Sequence, residues 1–172
     1  RPREQITARH DSDGVALHAS GCPSKGRAEI FIEPVMPKPP LVIIGAGPIA
    51  RSLAELGASL HLDIIVSDGG SQVWAQHTGI GQGFIVIATQ GGGDMQALRS
   101  AFATAAPYIA FIGSRNKAKA LRDRLLAEGI SEEALARLRT PAGLNIGAKT
   151  AAEIAISILA ELISVRRTSH NG

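Results

Sequence analysis

Residues 41–50 read Leu-Val-Ile-Ile-Gly-Ala-Gly-Pro-Ile-Ala, and few folds accommodate that decapeptide. Four consecutive apolar residues, Leu41 to Ile44, suit a short strand buried on both faces. Gly45-x-Gly47-x-x-Ala50 follows at once, and the apolar periodicity from Ile49 to Leu60 predicts a helix that starts on top of it. A glycine motif alone is a weak signal, but between a strand and a helix it becomes a dinucleotide fingerprint. Gly45 permits the tight turn, Gly47 lets a pyrophosphate approach the backbone, and Ala50 keeps helix and strand close. Ala46, Pro48 and Ile49 complete the turn, where free amides and the positive end of the helix dipole face the phosphates. Asp68 closes the next apolar run roughly twenty residues downstream, where a carboxylate accepts hydrogen bonds from ribose hydroxyls. Asp68 is followed by Gly69-Gly70-Ser71-Gln72 with no arginine, which favours NAD over NADP.

The segments on either side define the organisation. Pro34-Val35-Met36-Pro37-Lys38-Pro39-Pro40 carries four prolines in seven residues, a stiff extended stretch. Residues 36–40 are therefore expected to be a linker between a β-containing segment, residues 1–35, and a nucleotide-binding domain, residues 41–172. In that segment, Asp13-Gly14 is a hairpin signal and Ala28 to Val35 alternates as a strand. The opening Arg1-Pro2-Arg3, without an initiator Met, fits a piece of a longer chain.

After residue 41, strands are expected at Leu62 to Ser67, Phe84 to Ala88 and Tyr108 to Ile112. Helices are expected at Ile49 to Leu60, at Ser71 to His77 as a short one, and at Met95 to Ala105 with Asp94 as N-cap. A further helix runs to Glu128, capped by Ser114 or Asn116 and stopped by Gly129. Ser131 opens another short helix, Thr140 to Gly147 is a loop, and Thr150-x-x-Glu153 forms a capping box before Ala151 to Val165. Arg166 to Gly172 is a polar tail. This alternation predicts an α/β protein: a Rossmann-like three-layer fold with a mostly parallel sheet, preceded by a short β segment. Ligands of such sheets sit outside the carboxyl ends of the strands, so the loops at 45–49, 67–71, 89–94, 113–115 and 141–147 matter most.

Composition narrows the function classes. Hydrophobic content of 45% with only 3% aromatic residues fits an aliphatic core. The net charge of +3 comes from scattered Lys and Arg with few aromatics among them, which argues against nucleic acid. Cys22, the single cysteine, excludes an internal disulfide and suits the reducing cytoplasm. No apolar run approaches membrane-span length. The five histidines are dispersed, which argues against a metal site. No Gly-x-Ser-x-Gly elbow occurs.

Three further loci carry candidate chemistry. Thr89, Gln90 and Asp94 border the three glycines Gly91 to Gly93, where the open backbone suits a nicotinamide ribose or a second ligand. Gly113, Ser114 and Arg115, with Lys117, gather a hydroxyl and cations at a helix start, an anion site by chemistry. Cys22 has Lys25 and Arg27 nearby, which can lower a thiol pKa. An NAD(P)-dependent oxidoreductase drawing on Thr89, Asp94 or Ser114 is one reading, although a matched acid and base are not evident. The apolar stripe Ile154, Ile158, Leu159 and Leu162 on the last helix suits either the sheet or a homodimer interface.

Several of these stretches together resemble the XdhC/CoxI family of molybdenum hydroxylase accessory proteins. They are Cys22 to Pro34, Leu41 to Ala50, Ala88-Thr89-Gln90 with Asp94, Tyr108 to Arg115 with Lys117, and Pro141 to Ala148 leading into Glu153-Ile154-Ala155. The resemblance implies a carboxyl-terminal Rossmann domain that follows a smaller amino-terminal domain, of which residues 1–35 would be a β-containing remnant. It also implies a role in binding the molybdenum cofactor (molybdopterin), aiding its sulfuration and delivering it to a xanthine dehydrogenase or carbon monoxide dehydrogenase-type apoenzyme, with a cysteine desulfurase as a further partner. Cys22 matches the family's cysteine near the domain junction and is the candidate for sulfur handling. Ser114, Arg115 and Lys117 match its Gly-Ser-Arg loop, a candidate holder of a pterin or nucleotide phosphate. The chain departs from the family pattern at Gly69, where an arginine usually soon follows the acidic residue, and at Gln90, where His is frequent.

Overall fold

In a computed structural model, the structure describes residues 9–10, 16–17, 37–69, 73–77 and 79–168. The chain divides into two compact units, Arg1–Met36 and Pro37–Gly172. In the first, β1 (Arg9–His10) and β2 (Ala16–Leu17) pair antiparallel, with Arg9 opposite Leu17. They flank the Asp13-Gly14 signal, which lies outside the described residues, as do Cys22 and the expected strand at Ala28 to Val35.

The second unit is built on five parallel strands: β3 (Pro40–Ile44), β4 (Asp63–Ser67), β5 (Phe84–Ile87), β6 (Tyr108–Phe111) and β7 (Leu138–Arg139). Their spatial order is β4-β3-β5-β6-β7, all pairs parallel. The helices are α1 (Pro48–Gly57), α2 (Asp94–Phe102), α3 (Arg115–Ala127), α4 (Glu132–Leu135) and α5 (Ala151–Thr168). Alternate strand residues serve opposite faces. Leu41, Ile43, Phe84 and Val86 pack with Leu53 of α1 and with Ile158 and Leu162 of α5. Val42, Ile44, Ile85 and Ile87 pack with Leu98 of α2, Leu121 and Leu125 of α3, and Trp74. Both faces are covered, so the central strands read as unbroken apolar runs. This is the expected α/β Rossmann-like architecture.

The local caps follow the sequence signals. Ser114 Oγ accepts from Lys117 N at 3.3 Å and so caps α3, and Ser131 Oγ accepts from Ala134 N at 3.1 Å at the start of α4. The box before α5 closes both ways: Thr150 N donates to Glu153 at 2.9 Å, and Glu153 N donates to Thr150 Oγ1 at 3.2 Å. Gly129, with φ of +92°, ends α3 as expected.

Other boundaries move. Pro40 belongs to β3 rather than to the linker, because a proline is tolerated as the first residue of a strand. The helix after the fingerprint stops at Gly57, and a 3₁₀ turn, Ala58–Leu60, follows. Among the described residues of the expected short helix, 73–77, a 3₁₀ turn, Val73–Gln76, takes its place. The last helix runs to Thr168, so Arg166 and Arg167 are helical and not part of a tail. Asp94 is the first residue of α2 rather than its cap: Gly93, at φ of +83°, takes the cap position with no side-chain hydrogen bond. α2 also ends early, and Arg137 Nη1 reaches the carbonyls of Thr104 and Ala106 beyond it at 2.9 and 2.8 Å. The α5 stripe is spent on this chain's own sheet: Ile158 and Leu162 are fully buried there and Leu159 nearly so. That face is therefore not the free dimer surface offered as an alternative.

Candidate functional site

The strand order places the site. β4 lies on one side of β3 and β5 on the other, so the connections out of β3 and β5 diverge and leave a crevice at their carboxyl ends. The turn after β3 is fixed on both flanks. Gly45 N donates to Ser67 O at 2.7 Å. Gly45 has φ of +140°, and a β-carbon there would run into the carbonyl of Ala88; only glycine satisfies both demands. Gly47, by contrast, has an ordinary φ of −73° and caps α1, with Pro48 behind it. A β-carbon on Gly47 would lie 2.8 Å from Gln90 Nε2, and its three nearest atoms would all belong to that side chain. The bare face of Gly47 is thus turned to the crevice and overlooked by a movable carboxamide.

A cavity of about 360 Å³ occupies this crevice, lined by Gly45, Ala46, Gly47, Pro48, Arg51, Asp68, Thr89, Gln90 and Gly92. Among the described residues, its ionisable groups are one cation, Arg51, and one anion, Asp68. A second, largely apolar hollow of about 500 Å³ borders edge strand β4, where Val66 and Trp74 join Asp68 in the lining. Asp68 therefore stands between a polar and an apolar space.

Beside the crevice lies a polar cluster. The Asp94 carboxylate, with its side chain 6% exposed, receives the Thr89 hydroxyl and the Lys117 ammonium. Lys117 Nζ also stands 5.7 Å from the centre of the Phe111 ring, a cation–π arrangement. A buried carboxylate persists only when its oxygens are paired, and here a hydroxyl and an ammonium pair them. The cluster ties the end of β5 to the starts of α2 and α3. It fixes one end of the loop at 89–93, whose Gly91, Gly92 and Gly93 would have open space around an added β-carbon.

Of the residues singled out in the sequence, the structure brings Gly45, Ala46, Gly47, Pro48, Asp68, Thr89 and Gln90 around one cavity. Ile49 instead packs against the core on the α1 and α5 face. Gly69 sits beside Ile44 and Thr89, and Asp94 is held beneath the loop. Gly113, Ser114 and Arg115 are outside this lining. The Ser114 hydroxyl is engaged as the α3 cap, and a side chain at Gly113 would strike the Phe111 ring. Lys117 faces Asp94. Arg51 is the lining residue that motif reading passed over. Its signal was a cation four residues after Gly47, one helical turn into the fingerprint helix.

Among the described residues, no group of three or more His, Cys, Asp or Glu side chains is placed to hold a metal ion, and no helix is long and apolar enough to cross a membrane.

Comparison with known proteins adds the lineage. YqeB of Escherichia coli K12 is 32% identical across 96% of this chain and 33% of its own length. In Bacillus subtilis 168, a protein named as a probable xanthine dehydrogenase component is 29% identical across 80% of this chain and 46% of its own length. The crystal structure of a xanthine dehydrogenase from Bacillus halodurans superposes with a TM-score of 0.61 at 26% identity, covering 77% of this chain and 44% of that one. The chain thus spans between a third and a half of the length of the relatives it matches. Residues 41–162 match the family model described as the XdhC Rossmann domain; with the fingerprint turn, the strand order and the switch-point crevice in place, the chain belongs to the XdhC family.

Proposed function

We propose that this chain serves the maturation of a xanthine dehydrogenase-type molybdenum hydroxylase, and that its Rossmann domain holds a phosphate-bearing cofactor for that purpose. The observation that carries the proposal is the polar cavity at the switch point, where the side-chain-free turn at Gly45 to Gly47 faces Asp68, Thr89 and Gln90. Family membership and the two relatives whose names refer to xanthine dehydrogenase support the client class. Two ligands fit the donor set: NAD(P), with its ribose at Asp68 and its diphosphate over Gly47, and the molybdenum cofactor, with its phosphate on the same amides. When bound, the latter would supply the metal–sulfur centre that the client enzyme needs. In this reading Cys22 handles the sulfur, a cysteine desulfurase donates it, and an apoenzyme receives the product.

Calorimetry of the purified chain with NAD, NADP and molybdenum cofactor tests the ligand. At least one is expected to bind, and Gly47→Val is expected to abolish that binding while leaving the fold intact, because the nearest atoms an added β-carbon meets belong to the movable side chain of Gln90. Silence toward all three ligands, or a Gly47→Val variant that binds as well as wild type, would overturn the site. Brisk NAD-dependent oxidation of a small alcohol or aldehyde would replace the maturation role with the oxidoreductase one.

A further inference from the structure

We infer that Arg51 supplies a full positive charge toward a diphosphate in the switch-point cavity, making up for the backbone amide that Pro48 denies this turn. The inference rests on the nucleotide reading above. A diphosphate bridge carries two negative charges, and a fingerprint turn usually meets them with amides and a helix dipole. Two of the amides here are spent within the fold, as at any such turn and helix start, and one is missing. Gly45 spends its amide on Ser67 O at 2.7 Å, and Arg51 spends its own on Gly47 O at 3.1 Å. Pro48, at the first helical position, has no amide at all. At most the amides of Ala46, Gly47, Ile49 and Ala50 remain. Asp68, in the same lining, repels phosphate.

Among the described residues, the cavity lining contains one compensating group. Arg51 is exposed, one turn into α1, lines the cavity and makes no ion pair among the described residues. The other cations nearby are differently placed: Lys117 is held by Asp94, and Arg115 lies outside the lining. A guanidinium presents a planar fork of donors that matches two phosphate oxygens at once. The ligand class this selects is a nucleotide with two linked phosphates rather than a nucleoside.

The test is titration of the full chain and its Arg51→Gln and Arg51→Lys variants with NAD and ADP at low and moderate salt, with adenosine as competitor. Wild type is expected to bind NAD and ADP, and Arg51→Gln to bind both about tenfold more weakly, as befits one lost charge-assisted contact. Adenosine should compete alike against both proteins, the salt dependence should be shallower in Arg51→Gln, and Arg51→Lys should recover part of the loss. Equal NAD affinity in wild type and Arg51→Gln overturns this inference and leaves the nucleotide site standing. So does an equal loss of adenosine binding, which would make Arg51 a general support of the pocket. Failure of wild type to bind NAD or ADP overturns the inference together with the nucleotide reading.

Discussion

Replacing Lys117 with Met isolates the buried carboxylate of Asp94 while keeping most of the side-chain volume over Phe111. Breaking a buried pair by removing one partner typically costs about 3–5 kcal/mol. Two features of this site reduce that figure. The Lys117 side chain is 39% exposed, against 6% for Asp94, so water can approach the abandoned carboxylate from the lysine's side. The Thr89 hydroxyl also stays on it. About 2 kcal/mol is the expected loss, of which the cation–π contact contributes about 0.5 kcal/mol. For a domain of this size that is a fall of roughly 8 °C in Tm. Asp94→Asn should cost less, about 1 kcal/mol, because the amide oxygen can still accept from Thr89 and the freed ammonium reaches solvent. The double variant should then fall short of the sum by about 1 kcal/mol, the signature of direct coupling. Urea denaturation of the four proteins measures the cycle. Additive losses, or a Lys117→Met protein within about 0.5 kcal/mol of wild type, would refute the view that this pair anchors the 89–94 loop.

Two other predictions concern supports further from the crevice. Arg137→Met should destabilise by about 2 kcal/mol in urea titration, since it strips donors from carbonyls at and beyond the end of α2, two of them at 2.8 and 2.9 Å, and removes the guanidinium 5.4 Å from the Phe102 ring. The single tyrosine, Tyr108, donates to Glu161 at 2.7 Å, and Glu161 also accepts from Gly143 N at 3.1 Å. Burial, then the Glu161 hydrogen bond and charge, push the phenol well above its ordinary range. A raised folded value means that the folded state keeps its proton while the unfolded state loses it. The contribution is therefore intact below about pH 10 and is lost as pH rises beyond that. Phenolate absorbance should appear together with loss of helical circular dichroism in alkaline titration. Phenolate appearing in a protein with full helical signal would contradict this, and Tyr108→Phe should flatten the alkaline loss of stability while costing about 1 kcal/mol near neutrality.

What the sequence discloses and what it hides follow from the range of the interactions. The turn at Gly45 to Gly47, the Ser114 and Ser131 caps and the Thr150–Glu153 box are set by neighbours within a few residues, so type and spacing reveal them. The strands β3, β5 and β6 are legible as apolar runs because both sheet faces are covered. β7 is invisible for the opposite reason: its two residues, Leu138 and Arg139, form no run and become a strand only because β6 lies alongside. Asp94 shows the same limit at the site. A carboxylate after three glycines and before a helical segment fits a cap by every local rule, yet the left-handed Gly93 takes that position and moves Asp94 one residue into the helix. There its partner is Lys117, on another helix and beyond a whole strand. Nothing in local spacing encodes that pairing, because it exists only when β5 and β6 are adjacent.

Arg51 is obscured differently. On a helical wheel it is one more solvated cation, and only the closing of β4 and β5 around the turn makes the space it lines into a cavity. The structure thus changes the meaning of residues whose partners come from distant strands. That is why the backbone of the crevice and Asp68 could be located from the motif, while Arg51 in its lining and the Asp94–Lys117 pair beside it had to be read from the packed sheet. The same reasoning ranks the experiments: substitutions at the turn test whether a ligand is held, substitution of Arg51 tests which ligand it is, and substitutions in the Asp94–Lys117 pair test what holds the neighbouring loop.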